Sequence, residues 1–112
     1  MPSTEEYLTF ILEQLTPLKE ISYRMMMGEY IIYYRGKIIG GIYDNRFLVK
    51  ITKASSLLLP HATKELPYLG AKEMLLVDEL ENKDFLCKLI KSMYKELSMP
   101  KAVKSKSYQR KK

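Results

Sequence analysis

The fold is decided by residues 21–50, which read ISYRMMMGEYIIYYRGKIIGGIYDNRFLVK. The stretch is rich in β-branched and aromatic residues, which favour strands. Turn signals interrupt it at hairpin spacing, at Gly28, at 35–37 and at 44–46. The pattern therefore predicts a meander of four antiparallel strands. The predicted strands span residues 21–27, 29–35, 37–43 and 46–51.

Both faces of the predicted sheet carry apolar side chains. Alternation along the second strand places Tyr30 and Ile32 on one face. It places Ile31 and Tyr33 on the other face. One face must pack on helices, and the other is either covered by a further element or offered to a partner. The glycine pair 40–41 indicates a bulge in the third strand, with close approach of a ligand as the less favoured alternative.

One helix is predicted before the strand region in the sequence, and another near the C-terminal end of the domain. Ser3 followed by Glu6 has the pattern of a capping box, so the first helix is predicted over 4–15. Asn82 is a suitable N-cap for the last helix. The apolar residues that follow it with a period of about 3.6 are Phe85, Leu86, Leu89, Ile90, Met93 and Leu97.

Two short elements are predicted between the meander and the last helix. Thr52 can cap a helix that runs to about residue 59, where Pro60 stops it. Residues 72–77 are a plausible fifth strand. The expected fold is thus α+β and two-layered, with an antiparallel sheet of about five strands and helices packed on one face. The element order is α-β-β-β-β-α-β-α.

The charge of the chain is concentrated at its C-terminus. The net charge is +6, yet residues 101–112 hold six basic side chains and no acid, which leaves 13 basic and 13 acidic residues elsewhere. The chain therefore reads as a neutral domain, residues 1–99, followed by a basic, flexible tail, residues 100–112. Nucleic acid is a candidate partner of this tail. The candidate polyanion contacts are Lys101, Lys104, Lys106, Arg110, Lys111 and Lys112.

The sequence favours a cytoplasmic protein that does not enter a membrane. A small secreted domain usually depends on disulfides, and Cys87 is a lone cysteine. The first residues show no signal peptide, and no apolar run approaches the roughly 18 residues that span a bilayer.

Several segments resemble the N-terminal domain of the TfoX family of competence regulators. The segments that carry the resemblance are 22–24, Met26, 28–30, Tyr33, 36–37, Asp44, Arg46, 49–50, 67–68 and 70–72. The resemblance covers about residues 3–98 and implies a two-layer α+β domain similar to secretion chaperones. Met27 and Ile31 depart from the family pattern, and the second domain of the long family members is expected to be lacking. The resemblance implies a regulatory role with no catalytic residue and no cofactor.

The residues that could carry catalysis or bind a metal favour structural roles. Cys87 lies on the edge of the last helix's apolar stripe, which favours a packing cysteine over a nucleophile. His61, the single histidine, has no nearby ligand pattern for a metal. Glu79, Glu81 and Asp84 precede or begin the last helix, where acids suit the helix dipole. No nucleotide-binding motif is present, so we expect no enzyme activity, metal, cofactor or small-molecule substrate.

The leading hypothesis is a non-enzymatic regulatory or protein-interaction domain. Its partner surface is the second face of the sheet, with candidate contacts Tyr23, Arg24, Tyr33 and Tyr43, and its partner is another protein or a second copy of the chain. Aromatic and basic residues also interleave in the strands, which could stack nucleic-acid bases, although ordinary sheet packing explains the tyrosines more simply. The alternative hypothesis is a nucleic-acid-binding accessory protein that acts through the basic tail.

Overall fold

The computed structural model describes residues 3–99. Within this range the chain forms three helices and six strands. In chain order they are α1 (Glu5–Gln14), β1 (Ile21–Met26), β2 (Glu29–Tyr34), β3 (Lys37–Ile42), β4 (Phe47–Val49), α2 (Lys53–Leu58), β5 (Lys64–Glu65), β6 (Met74–Leu76) and α3 (Lys83–Tyr94). The α+β class and the antiparallel sheet are confirmed. The addition is β5, which at two residues is too short to leave a period-two pattern in the sequence.

The strands form one antiparallel sheet in the order β1-β2-β3-β4-β6-β5. The first four strands are the predicted meander. The chain then leaves the sheet for α2 and returns so that β6 pairs with β4, with Leu48 opposite Leu76. Because β5 pairs only with β6, β1 and β5 are the two edges of the sheet.

Three two-residue turns connect the meander. Both residues of each turn have positive φ, at 27–28, at 35–36 and at 44–45. This is the geometry of type I′ turns, whose twist matches that of the flanking strands. The predicted hairpin positions are therefore confirmed, although the strands end one or two residues earlier than predicted.

A β-bulge lies where the glycine pair indicated one. The register of β2 against β3 shifts between Ile32 and Tyr33, so Ile39 of β3 has no residue opposite it in β2. Gly40 then lies so close to β4 that an added Cβ would be 2.1 Å from the carbonyl oxygen of Leu48. Only glycine allows this approach of two strand backbones.

The helices begin at polar caps. Thr52 and Asn82 cap α2 and α3 as predicted, by accepting hydrogen bonds from the backbone N–H groups three residues on. The cap of α1 is Thr4 rather than Ser3, so the predicted capping box is wrong. The Ser3 hydroxyl instead donates to Glu29 Oε1 at 2.6 Å. A charged acceptor on β2 gives a stronger hydrogen bond than a neutral capping contact.

All three helices pack on one face of the sheet, which we call the helix face. This packing encloses the main core, to which every helix and the strands β2, β3, β4 and β6 contribute. Its largest fully buried side chains are Phe47, Ile11, Leu15, Ile32, Ile39, Ile42, Leu86, Leu89, Ile90, Met93 and Val49. The opposite face, which we call the open face, receives no helix from the described part of the chain.

None of the helices in residues 3–99 has the length and apolar character needed to cross a bilayer.

Candidate interaction surface

The open face is built from the alternate residues of the strands whose neighbours form the main core. Since Ile32 and Tyr30 point into the main core, Ile31 and Tyr33 point to the open face, and both are partly exposed. Strand pairing places Arg24 opposite Ile31 and Ile38 opposite Tyr33 on the same face. The β1–β3 half of the open face is therefore an apolar surface that remains in partial contact with water.

The β4–β6 half of the open face is covered by a loop, residues 66–73. Beneath this loop lies a second, smaller cluster made of Tyr43, Leu48 and Met74. The ring of Tyr68, in the loop, lies 6.2 Å from the ring of Tyr43 between centroids. Pro67 is buried beside it. The loop thus gives this half of the face a cover that the other half lacks.

A hydrogen-bonded arginine holds the start of this loop to the sheet. Arg46 Nη1 lies 2.7 Å from Glu65 Oε1, and both side chains are more than two-thirds buried. Arg46 Nη2 also donates to the carbonyl oxygen of Leu66, and Arg46 Nε to that of Tyr43. One guanidinium therefore joins the β3–β4 turn to β5 and fixes the place where the loop leaves the sheet.

A groove of about 670 Å³ runs along the border between the covered and uncovered halves. Its lining is mainly apolar and aromatic and includes three charged residues. The lining residues are Ile38, Tyr43, Lys50, Ile51, Pro67, Tyr68, Ala71, Lys72, Glu73 and Met74. A groove with apolar walls and a few charged groups is typical of a binding site.

The titration of the groove side chains follows from their burial. Burial raises the pKa of Tyr43 to about 12, and the nearby Tyr68, Glu29 and Tyr33 add to this shift. Partial desolvation lowers the pKa of Lys50, and the neighbouring Lys72 cation lowers it further. At neutral pH the Tyr43 phenol is therefore protonated, and the positive charges of Lys50 and Lys72 repel one another. An anionic group bound between the amines would relieve that repulsion.

The four predicted contact residues do not form one surface. Arg24, Tyr33 and Tyr43 share the open face, but Tyr43 is only 8% exposed because the loop covers it. Tyr23 pairs with Ile32 and so lies on the helix face, where its ring contacts that of Tyr30 at 5.9 Å. The prediction assigned all four residues to one face, but Tyr23 and Arg24 are neighbours in β1 and therefore point to opposite faces.

Two other sequence candidates, Cys87 and His61, lie apart from the groove. Cys87 is buried in the main core, where burial raises the pKa of its thiol. His61 is exposed in the turn after α2. Across residues 3–99, no group of three or more His, Cys, Asp or Glu side chains is placed to hold a metal ion. The candidate contacts 101–112 lie outside the described residues.

Sequence reasoning missed Lys50, Lys72 and Tyr68 as neighbours. Their separation along the chain gives no local signal, because only the pairing of β6 with β4 brings the loop over the sheet. The sole hint was the Pro67–Tyr68 pair, since a tyrosine in a loop often packs on a neighbouring surface.

The fold and the groove define a small α+β domain in which helices cover one face of the sheet. Comparison with known proteins places this domain in a family. A protein described as an uncharacterized 12.7 kDa protein in the trpE 5′ region of Spirochaeta aurantia is 31% identical over 80 residues. The match covers 71% of this chain and 70% of that protein. The chain belongs to the same family as this Spirochaeta protein. No protein-family model and no solved structure matches the chain.

Proposed function

We propose that this protein is a non-enzymatic protein-interaction domain that binds its partner through the open face. The observation that carries the proposal is that one half of the open face is covered and the other half is partly exposed. Loop 66–73 covers Tyr43 and Leu48, whereas Ile31, Tyr33 and Ile38 stay partly exposed beside the groove. Partly exposed apolar side chains next to a groove are suited to burial against another protein.

The chemistry of the groove supports binding rather than catalysis. Its lining offers two amines, one carboxylate and two phenols, and no imidazole, thiol or aliphatic hydroxyl is among the described lining residues. The Ser–His and Cys–His pairs that commonly supply a nucleophile and its base are therefore absent from these described lining residues. The partner that fits is an apolar segment carrying an acidic group that reaches Lys50 and Lys72.

The regulatory part of the proposal rests on the sequence resemblance to the TfoX N-terminal domain. The residues of that resemblance include Tyr33 on the open face and the Pro67–Tyr68 pair of the loop. We propose that the protein acts as a regulator by occupying another protein, in the cytoplasm and without a cofactor.

The test is a pull-down from the native cell with tagged variants, followed by titration of each captured protein against purified domain. Tyr33→Glu should abolish capture because it places a carboxylate on the apolar half of the open face. Leu57→Glu is the matched control, since Leu57 is 79% exposed on α2, away from the open face. Circular dichroism must show both variants folded. Capture of the same proteins by Tyr33→Glu at wild-type affinity would refute the open face as the site.

The charge distribution supports a second candidate function, binding of nucleic acid through residues 101–112. These residues carry six basic side chains next to a neutral domain. Neutralising six phosphates would give a log–log salt slope of at most about −5. Deletion of 101–112 should leave the melting temperature nearly unchanged and abolish salt-sensitive DNA binding, measured by fluorescence anisotropy. A truncated domain that keeps a steep salt slope would show that the basic segment is not the site.

A further inference from the structure

The edge strand β1 has features of a pairing surface that the opposite edge lacks. It pairs with β2 along all six residues without a register shift. Its other side has no strand partner among residues 3–99. The far edge is β5, which has only two residues, Lys64 and Glu65. Short, charged edges resist added strands, whereas long regular ones accept them.

The backbone groups that face outward from β1 can be assigned from its hydrogen bonds. Antiparallel neighbours alternate between pairs that exchange hydrogen bonds and pairs that do not. The backbone N–H of Arg35 donates to the carbonyl oxygen of Glu20, which makes this a bonded pair. The alternation then directs the N–H and C=O groups of Ile21, Tyr23 and Met25 away from β2. Three residues thus direct donors and acceptors outward at the edge, where no other strand of residues 3–99 pairs with them.

The side chains of this edge are apolar and exposed. Tyr23 is 50% exposed, Met25 59% and Met26 41%, and Met27 in the following turn is 95% exposed. Arg24 is the single charged residue within the strand, and the strand contains no proline. Large exposed hydrophobic side chains along an unpaired edge favour the addition of a strand.

We propose that β1 pairs antiparallel with β1 of a second copy of this chain, joining the two sheets into one across a twofold axis. Such an axis keeps each face on its own side, so residues that meet must lie on the same face. Centring the axis on Tyr23 lets the outward groups of Ile21, Tyr23 and Met25 bond to those of Met25, Tyr23 and Ile21 of the second copy. Each strand then gains a complete ladder along this stretch.

The side-chain pairs of this register are compatible. Tyr23 meets Tyr23 of the second copy, and Ile21 meets Met25, which buries apolar side chains on the helix face. Ser22 meets Arg24 on the open face. The neighbouring register, centred on Arg24, would place the two Arg24 side chains opposite each other with Cα atoms about 4.5 Å apart. Like charges at that distance are destabilising, which favours the register centred on Tyr23 over the one centred on Arg24.

The charge of the domain also suits a second copy as the occupant. Residues 101–112 hold six of the 19 basic side chains, so the described part of the chain has 13 basic and 13 acidic residues. Two neutral domains approach without net electrostatic repulsion. The proposal is independent of the proposed function, because the strand edge and the open face are different surfaces.

Cysteine crosslinking tests both the dimer and its register. In a Cys87→Ala background, Tyr23→Cys places two thiols directly opposite each other, within the Cα separation of about 4.4–6.8 Å that a disulfide needs. Met25→Cys is the matched control, because its two copies would lie four residues apart, at about 13 Å. With oxidised glutathione as the oxidant, Tyr23→Cys should form a covalent dimer at least tenfold faster than Met25→Cys, as read on non-reducing gels.

Sedimentation of the unmodified full chain provides the second measurement. We expect a dimer at tens of micromolar, and Tyr23→Pro should weaken it at least tenfold because proline lacks the outward N–H while the bonds to β2 remain. Tyr33→Glu should leave the dimer intact, which separates this proposal from partner binding at the open face. A wild-type monomer at this concentration, or equal crosslinking of Tyr23→Cys and Met25→Cys, would overturn the proposal.

Discussion

The two faces of the sheet are covered in different ways, although the same strands supply both. On the helix face, three helices enclose a continuous core in which Ile32, Phe47 and Ile42 have no solvent exposure. On the open face, loop 66–73 shelters one small cluster and leaves the β1–β3 half partly exposed. The comparison teaches that apolar residues of one strand can have two different environments. Those on the helix face hold the fold together, and those on the β1–β3 half of the open face stay in partial contact with water.

The largest expected effect is on the free energy of unfolding, and it should differ between two adjacent residues of β2. Ile32→Ala should destabilise the protein by about 2–5 kcal/mol, because it leaves a cavity in a core that cannot fully collapse. Ile31→Ala, on the open face, should cost about 1 kcal/mol or less, since its side chain already contacts water. Urea denaturation followed by circular dichroism measures both. Equal losses would mean that the open face is packed as tightly as the helix face.

The second prediction uses pH to measure how well the loop excludes water from Tyr43. Its pKa of about 12 in the folded protein exceeds the value of about 10 expected when unfolded. Folding therefore gains stability from the protonated phenol that is fully present below about pH 10 and is lost as the pH rises towards 12. The loss should reach about 2–3 kcal/mol, from two pKa units at about 1.4 kcal/mol each.

Phenylalanine at this position supplies the matched comparison. Tyr43→Phe keeps the ring and removes the ionisable group, so its stability should fall less steeply between pH 10 and 12. Identical profiles for wild type and Tyr43→Phe would indicate that water reaches the covered half of the open face.

A third prediction weakens the helix layer alone. Thr52→Ala removes the capping box of α2, in which Thr52 Oγ1 accepts from the backbone N–H of Ser55 at 3.0 Å. Loss of such a cap costs about 1 kcal/mol. Thr9→Ala, at an exposed position within α1, should be neutral or slightly stabilising because alanine favours helix. Thermal denaturation compares the two, and an equal effect would contradict the capping role.

The smallest expected effect removes part of the loop's cover. Tyr68→Ala should cost about 0.5–1 kcal/mol, since it deletes one aromatic contact to Tyr43 from a side chain that is 59% exposed. It should also lower the pKa of Tyr43, by admitting water to the phenol, as measured by phenolate absorbance. Leu69→Ala, in the same loop and 93% exposed, is the control and should change neither quantity. An unchanged Tyr43 titration in Tyr68→Ala would show that other groups exclude the water.

Much of the fold could be predicted because its signals are local. The three type I′ turns need residues that tolerate positive φ, and Gly28, Gly36 and the 44–45 pair mark those places in the sequence. The caps Thr52 and Asn82 act within three residues of their own position. The candidate site was less predictable, because its parts come from strands and a loop that are distant in sequence.

The sequence by itself determined the class of fold, the order of its main elements and their turns, since side-chain periodicity and turn chemistry act over a few residues. The tertiary structure decided which partner each polar group found and which face each tyrosine occupied. Glu29 accepts a hydrogen bond from the Ser3 hydroxyl, which was expected to cap α1, and Arg46 in the β3–β4 turn pairs with Glu65 of β5. The pairing of β6 with β4 brought the loop over Tyr43. These contacts join residues that are distant in the sequence. They form because packing of the whole domain brings the residues close in space, and local sequence patterns do not record that proximity.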